Sequence, residues 1–251
     1  MRNQPVSLAE LPRGVPRPVQ WKRLLQHLKA LNKGDPAEVL DAAYSVGDAI
    51  GGMSEERQLH RILATPEGQE LWTRGSSLTN ALADHDALAR LPEGSLGRAF
   101  LLFCQRHGLN SRELIEHQHA MSRDYRELDP VRQWFNDRLV VMHDVWHVLV
   151  GYDATNAGES ALMCFMLPHR FNDRALPIFI AMSLLTGHIS ARNAWEAFRR
   201  GRRAGLMVAA PFEDLLELPL DTARTRLGIR SLELDHPVVT SEAMLNPAEA
   251  Q

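Results

Sequence analysis

Cysteine is scarce: Cys104 and Cys164 are the two in 251 residues. Both lie in apolar stretches, Leu101-Leu102-Phe103-Cys104 and Leu162-Met163-Cys164-Phe165. They read as reduced, buried thiols in a reducing compartment, and a disulfide framework is excluded. Positive charge is not in surplus either. The 28 Lys+Arg stand against 31 Asp+Glu, which argues against bulk nucleic-acid binding and leaves no nucleic-acid partner to expect. Long hydrophobic runs are missing. The longest, Leu176 to Leu185, is about half of the ~20 residues that a bilayer span needs. A soluble protein, or one bound at a membrane surface, is therefore expected. The first twenty residues have no apolar signal core, are rich in Pro and Arg and contain Glu10. They do not read as a secretory signal and make at best a weak transit peptide. Alternating strand-type runs are scarce, Pro237-Val238-Val239-Thr240 being the one faint instance, and there is no repeat or low-complexity tract.

What the chain does contain is helical punctuation. Asp35-Pro36-Ala37-Glu38 has an N-cap acid, a first-turn proline and a glutamate placed for a capping box. Thr65-Pro66, Asp129-Pro130, Ser54-Glu55-Glu56 and Asn110-Ser111-Arg112-Glu113 are further helix starts. Between them apolar residues fall at helical spacing. Leu24, Leu25, Leu28 and Leu31 make one face, Val39, Ala42, Ala43, Val46 and Ile50 another, and Leu96, Phe100, Phe103 and Cys104 a third. With 45 % hydrophobic residues the chain can fill a core. The expectation is an all-α, single-domain bundle of about eight to ten helices joined by turns such as Gly51-Gly52 and Pro92-Glu93-Gly94. Residues 1–17 read as a flexible arm, 18–233 as the domain and 234–251 as a loose tail.

The chemistry gathers at His143-Asp144-Val145-Trp146-His147 and Glu159. Residues Asp137 to Val150 carry apolar side chains on a helical period, so His143 and His147, one turn apart, project about 40° from each other on one face. That is how a helix offers two nitrogens to one divalent metal. Asp144 is about 100° round from His143, placed either to ligate directly or to orient a histidine. A turn rich in glycine, Gly151 to Gly158, separates the pair from a second helix beginning near Glu159. Packed back antiparallel, that helix brings Glu159 toward the histidines, as in metal sites built inside bundles.

The pattern His-Asp-x-x-His, eleven residues, then Glu resembles the motif of the ubiquinone (coenzyme Q) biosynthesis protein 4 family. Leu91-Pro92-Glu93-Gly94-Ser95-Leu96-Gly97-Arg98-Ala99-Phe100 is similar to that family's LPxGTLGxAY segment, and His143 to Tyr152 to its HDxxHxLxGY segment. Ala194-Trp195-Glu196-Ala197-Phe198, Gly201-Arg202-Arg203-Ala204, Leu215-Leu216, Pro219-Leu220 and Arg226-Leu227-Gly228-Ile229 follow its C-terminal pattern. Ser95, Phe100 and Phe212-Glu213 are small departures, and none touches His143, Asp144, His147 or Glu159. The resemblance implies an all-helical homodimer lying against a membrane. For a bacterial member this means a cytoplasmic protein on the inner face of the cell membrane. It implies a divalent metal, zinc foremost, held by those four residues. It also implies decarboxylation coupled to hydroxylation of a polyprenylated 4-hydroxybenzoate-type ring, alongside other quinone-biosynthesis proteins. The same family can be read as a non-catalytic prenyl-lipid-binding scaffold for the biosynthetic complex.

The ligand set itself suits zinc, manganese, iron or magnesium. A metal beside a ring carboxylate holds that group and stabilises the negative charge that builds as CO2 leaves. The prenyl tail needs an apolar cavity or groove. Leu176 to Leu185, apolar all round, reads first as core and second as a wall of that slot, with the Met-rich run Leu162–Leu167 as the other side. Arg199, Arg200, Arg202 and Arg203 read as a solvated face, or as a contact with anionic lipid headgroups or a partner enzyme. Arg132 and Arg138 are placed to pair with neighbouring acids or with a substrate carboxylate. His117, His119, His169 and His188 lack ligand spacing, and Trp146 and Tyr152 read as packing around the site. A His-Asp phosphohydrolase would need a further upstream His and downstream Asp, and no such pair stands out.

Overall fold

The structure, a computed structural model, describes residues 3–12, 14–16, 18–30, 42, 45–47, 49–121 and 125–230. These residues form an all-α domain, with helices and an isolated antiparallel bridge between Ser95 and Pro219 but no strand among them. The helices are α1 (Trp21–Ala30), α2 (Ser54–Leu63), α3 (Pro66–Thr73), α4 (Leu78–Ala83), α5 (His85–Ala89), α6 (Leu96–His107) and α7 (Ser111–Met121). They continue as α8 (Pro130–Val150), α9 (Asn156–Met166), α10 (Ala175–Leu185), α11 (Ala191–Arg203), α12 (Phe212–Leu215) and α13 (Leu220–Arg226). Thirteen described helices exceed the eight to ten expected. The excess is in α4, α5 and α12, of 6, 5 and 4 residues, which are too short to display a helical period.

The expected helix starts are mostly met by caps. Thr65 Oγ1 accepts from Gly68 N at 3.0 Å and Pro66 opens α3. Asp129 accepts from Val131 N and Arg132 N, and Pro130 opens α8. Asn110 accepts from Arg112 N at 2.9 Å ahead of α7. Each cap satisfies amide groups that the first turn leaves without an intrahelical acceptor. Ser54 departs from this. It is the first residue of α2, and its hydroxyl accepts from Arg57 and from Asp173 N rather than capping. Leu24 is buried but Leu25 is exposed, since 100° of rotation carries it off the face shared with Leu28. Asp35-Pro36-Ala37-Glu38, Leu31, Val39, Ala43 and the expected tail and strand signal at 234–251 lie outside the described residues.

The 21-residue α8 is the axis of the domain. It touches α2, α4, α6, α7, α9 and α13 and buries Val131, Phe135, Val141, Met142, Val145, Trp146, Val148, Leu149 and Val150. Each such side chain is worth roughly 1.5–3 kcal/mol of transfer from water. Helices α9 and α11 make the closest helix pair. At their crossing a Cβ on Gly201 would stand 1.9 Å from the Phe165 carbonyl oxygen, so glycine alone permits the approach.

The first-ranked reading of Leu176–Leu185, as core, is corrected by the structure. Helix α10 buries Ala175 and Ser183, whereas Leu184 and Leu185 are exposed, Leu185 at 87 %. One side of α10 rests on a small satellite core of Leu24, Val46, Ala49 and Ile50, Leu176 and Ile180 pack part-buried against the main core, and the C-terminal end forms surface. The expected lipid-tail cavity does not appear among the described residues. The cavity of about 190 Å³ beside α8 is walled by Val15, Met53, Leu59, Leu128 and Phe135 together with polar and glycine residues. In the arm expected over 1–17, residues 3–6 run along α3. Trp72 donates to Gln4 O, Gln69 donates to Val6 O and receives Val6 N in return.

Candidate metal centre

The two histidines ride the last two turns of α8. That helix ends where Gly151 takes a left-handed conformation, φ 79°, and donates to His147 O at 2.9 Å. The chain then turns through Asp153, whose carboxylate accepts from Thr155 N, and Thr155 caps α9 by accepting from Gly158 N at 3.2 Å. Helix α9 therefore starts at Asn156, three residues before the start expected from the turn, and Glu159 sits in its first turn. There the helix dipole favours a carboxylate. A Cβ on Gly158 would lie 2.0 Å from the Asp153 carbonyl oxygen, so the neighbour of Glu159 must be glycine for the turn to close.

Three of the four expected ligands converge. Glu159 Oε1 is 3.1 Å from His147 Nε2 and Glu159 Oε2 is 3.5 Å from His143 Nε2. One donor atom from each residue fits within 4.8 Å of the others. Asp144 stands elsewhere: its Oδ1 faces His143 Nδ1 at 3.3 Å, on the ring edge away from Glu159. In this geometry Asp144 orients the His143 ring. The His143 and His147 rings are 4.7 Å apart and nearly perpendicular. Phe103 stacks on His147 at 5.5 Å.

His147 supplies the test of whether these residues suit a cation. Its Nδ1 is 3.0 Å from the carbonyl oxygen of Tyr152. A carbonyl only accepts, so Nδ1 carries a proton and Nε2 is the nitrogen left to face Glu159. Nε2 is buried and stands 3.1 Å from a carboxylate oxygen. In a buried place such a pair calls for a positive centre between nitrogen and oxygen, a second ring proton or a metal ion. A divalent cation fits, and two histidines with one carboxylate are an established catalytic zinc set that leaves a position open. The side chains of His143 and Glu159 keep 44 % and 37 % exposure while His147 keeps 1 %, so the site is open on the His143 side. Burial works against a charge on His143, but Glu159 and Asp144 outweigh it and push its pKa up to about 10. Burial likewise opposes the charge on Glu159, and the two histidines hold its carboxyl far below the ordinary range.

Three of the remaining polar candidates, Arg132, Arg138 and His119, have acidic partners. Arg132 binds Glu56 and Asp129. Arg138 is buried against Glu213 at 2.6 Å, Ala210 O at 2.7 Å and the Phe212 ring. His119 pairs with Asp137 at 2.7 Å, His169 is buried and His188 is exposed. Of the basic cluster, Arg199, Arg202 and Arg203 face solvent, whereas Arg200 turns inward to Val150 O. Tyr152 is more than packing, since its carbonyl sets the His147 tautomer. Burial pushes its phenol up, against the pull of Arg200. Phe103 was legible only as part of an apolar face.

The family model for the coenzyme Q (ubiquinone) biosynthesis protein Coq4 matches residues 24–233. The chain is 28 % identical over 179 residues to the mitochondrial ubiquinone biosynthesis protein COQ4 of Phaeosphaeria nodorum, covering 67 % of this chain and 57 % of that one. It is 28 % identical over 197 residues to the mitochondrial COQ4 homolog of Rattus norvegicus, covering 75 % and 71 %. The chain thus spans less than two thirds of the Phaeosphaeria protein. A crystal structure of a Nostoc punctiforme PCC 73102 protein shares the fold with a TM-score of 0.53 at 20 % identity, covering 85 % of this chain and all of that one. The chain belongs to the Coq4 family of ubiquinone biosynthesis proteins.

Proposed function

We propose that this chain is a metal-dependent enzyme of ubiquinone biosynthesis. It replaces the ring carboxylate of a polyprenylated 4-hydroxybenzoate-type substrate by a hydroxyl. The observation that carries the reading is the convergence of His143, His147 and Glu159, with the buried Nε2 of His147 facing Glu159. His143, His147 and Glu159 hold a divalent metal, zinc first, and Asp144 steadies His143. Once bound, the metal polarises the substrate carboxylate and stabilises the charge left on the ring. The net change ArCO2H + O2 + H2O → ArOH + CO2 + H2O2 balances with O2 as oxidant. The open side at His143 admits the ring, and buried His147 with Phe103 keeps water from the inner side. To test this, purified metal-loaded protein is given a prenylated hydroxybenzoate under O2 while CO2 and the hydroxylated ring are measured. His147→Ala and Glu159→Ala should lose both metal and product. Unchanged metal content and turnover in those variants would sink the reading.

A second reading, the non-catalytic lipid scaffold, is favoured by one observation. The exposed large apolar side chains among the described residues are Val15, Trp21, Leu25, Leu184, Leu185 and Trp195, on the arm, on α1, on α10 beside it and on α11. Those of α1 and α10 flank the satellite core that the two helices share, and exposed apolar side chains so grouped suit an interaction surface. Lys22, Arg192, Arg199, Arg202 and Arg203 lie on the same helices, which suits an anionic bilayer, with tryptophan at the headgroup level. We place this face on the inner leaflet of the cell membrane, where the prenyl tail and the other pathway proteins are met, and assign the chain as a homodimer. Pelleting with vesicles that contain anionic lipid should fall sharply for a Leu184→Glu/Leu185→Glu variant. The scaffold reading predicts tight prenyl-lipid binding with no turnover in the assay above.

A further inference from the structure

We propose that Arg200 is a positioning residue for the metal centre, acting on His147 through Tyr152. This rests on the metal reading above only for its affinity readout. A histidine that binds a metal through Nε2 depends on whatever holds its Nδ1 proton. Here the holder is a backbone oxygen, that of Tyr152, two residues past the end of α8 and one past the left-handed Gly151. A loop carbonyl is only as well placed as the turn that carries it, and this turn is held from outside the motif at the Val150 carbonyl and the Tyr152 ring.

The grip comes from one guanidinium. Arg200 Nη2 donates to Val150 O at 2.8 Å and to Arg230 O at 2.7 Å. The guanidinium carbon lies 5.0 Å from the centre of the Tyr152 ring. Arg200 therefore holds both sides of the Gly151 turn, the last carbonyl of the helix before it and the buried ring after it. Its own position is fixed by its neighbour Gly201, where α11 meets the Phe165 backbone, on the helix that carries Glu159. A second arginine takes the preceding carbonyls: Arg224 Nε donates to Leu149 O at 2.9 Å and Nη1 to Asp221 at 3.1 Å. Both arginines satisfy terminal carbonyls and complement the helix dipole. Arg200 also lies over the ring of the residue that sets the His147 tautomer. Lysine can supply charge to Val150 O, but it cannot also lay a flat face on an aromatic ring.

The test uses the full chain, metal-free, labelled with nitrogen-15 histidine. Long-range proton–nitrogen correlations report the tautomer of each ring, with His147 assigned from the signals missing in His147→Asn. Zinc affinity is measured in parallel by competition with a chelator. The wild type should show Nδ1–H at His147. Arg200→Met should give a mixed or reversed tautomer and a 10–100-fold weaker zinc affinity, the usual loss for a support removed from a metal ligand. Arg224→Lys should lower stability and leave both readouts in place. Should Arg200→Met not fold, Arg200→Lys keeps the charge, loses the flat contact and must still move the tautomer. An unchanged tautomer in the folded Arg200 variant, or an equal change in Arg224→Lys, overturns the proposal. If the wild type binds no zinc, the function above fails while the tautomer comparison still decides this one.

Discussion

The pair Arg138–Glu213 allows a sharp test of which arginines are structural. Arg138 has 1 % side-chain exposure and Glu213 11 %, with N to O at 2.6 Å. Removing one member of a buried pair strands the other charge and costs about 3–5 kcal/mol, whereas replacing both with apolar groups is often near neutral. Glu213→Leu leaves Arg138 with Ala210 O and the Phe212 face, which softens the loss to about 3 kcal/mol. Arg138→Met strands the less buried Glu213 and should cost about 2–3 kcal/mol. Arg138→Met/Glu213→Leu should lie within about 1 kcal/mol of wild type. Urea unfolding of the four proteins at pH 7 closes the cycle, and the coupling should exceed about 2 kcal/mol. If the single costs simply add up in the double variant, the two side chains are not paired in solution. Arg138 would then be available to a substrate carboxylate, against the assignment made here.

Burial holds His169 down to about 4 from an ordinary 6.5. The unfolded chain therefore takes up a proton first as pH falls below 6.5. Stability is intact above that value and falls by up to about 3 kcal/mol by pH 4. Unfolding free energies between pH 6.5 and 4.5 isolate this group from the Glu159 contribution, and His169→Gln should flatten the slope; an unchanged slope refutes the cause. Gly158→Ala should cost several kcal/mol, on the order of other backbone clashes, because the added Cβ meets the Asp153 carbonyl at 2.0 Å; an unfolding midpoint like that of wild type would contradict the turn geometry. Glu159→Gln replaces an acceptor by a donor opposite His147 Nε2. It should abolish zinc binding in a chelator competition while changing metal-free stability by about 1 kcal/mol, because the Glu159 side chain is itself 37 % exposed.

The helix starts marked by an oxygen-bearing side chain were readable because the cap is a local device: Thr65, Asp129 and Asn110 each satisfy amides two or three residues ahead. The meeting of His143, His147 and Glu159 was readable for a similar reason. Four residues make one helical turn, and a glycine-rich reversal returns the next helix to it. Leu25 and α10 were misjudged because periodicity gives the faces of a helix and not their coverings. A helix apolar on every side carries no mark of which side meets solvent, and α10 buries serine while exposing leucine. Asp144 was left open between two roles because residue type and angle suit both, and only the edge of the His143 ring it faces separates them. The least legible element was the Tyr152 carbonyl. Every residue has that oxygen, so no side-chain pattern announces it, and yet it decides which nitrogen of His147 is free. The motif names the side chains that can meet a metal. Their protonation pattern is set by backbone placed through tertiary contacts, by Gly151, by Arg200 and by the Gly201 crossing that positions Arg200.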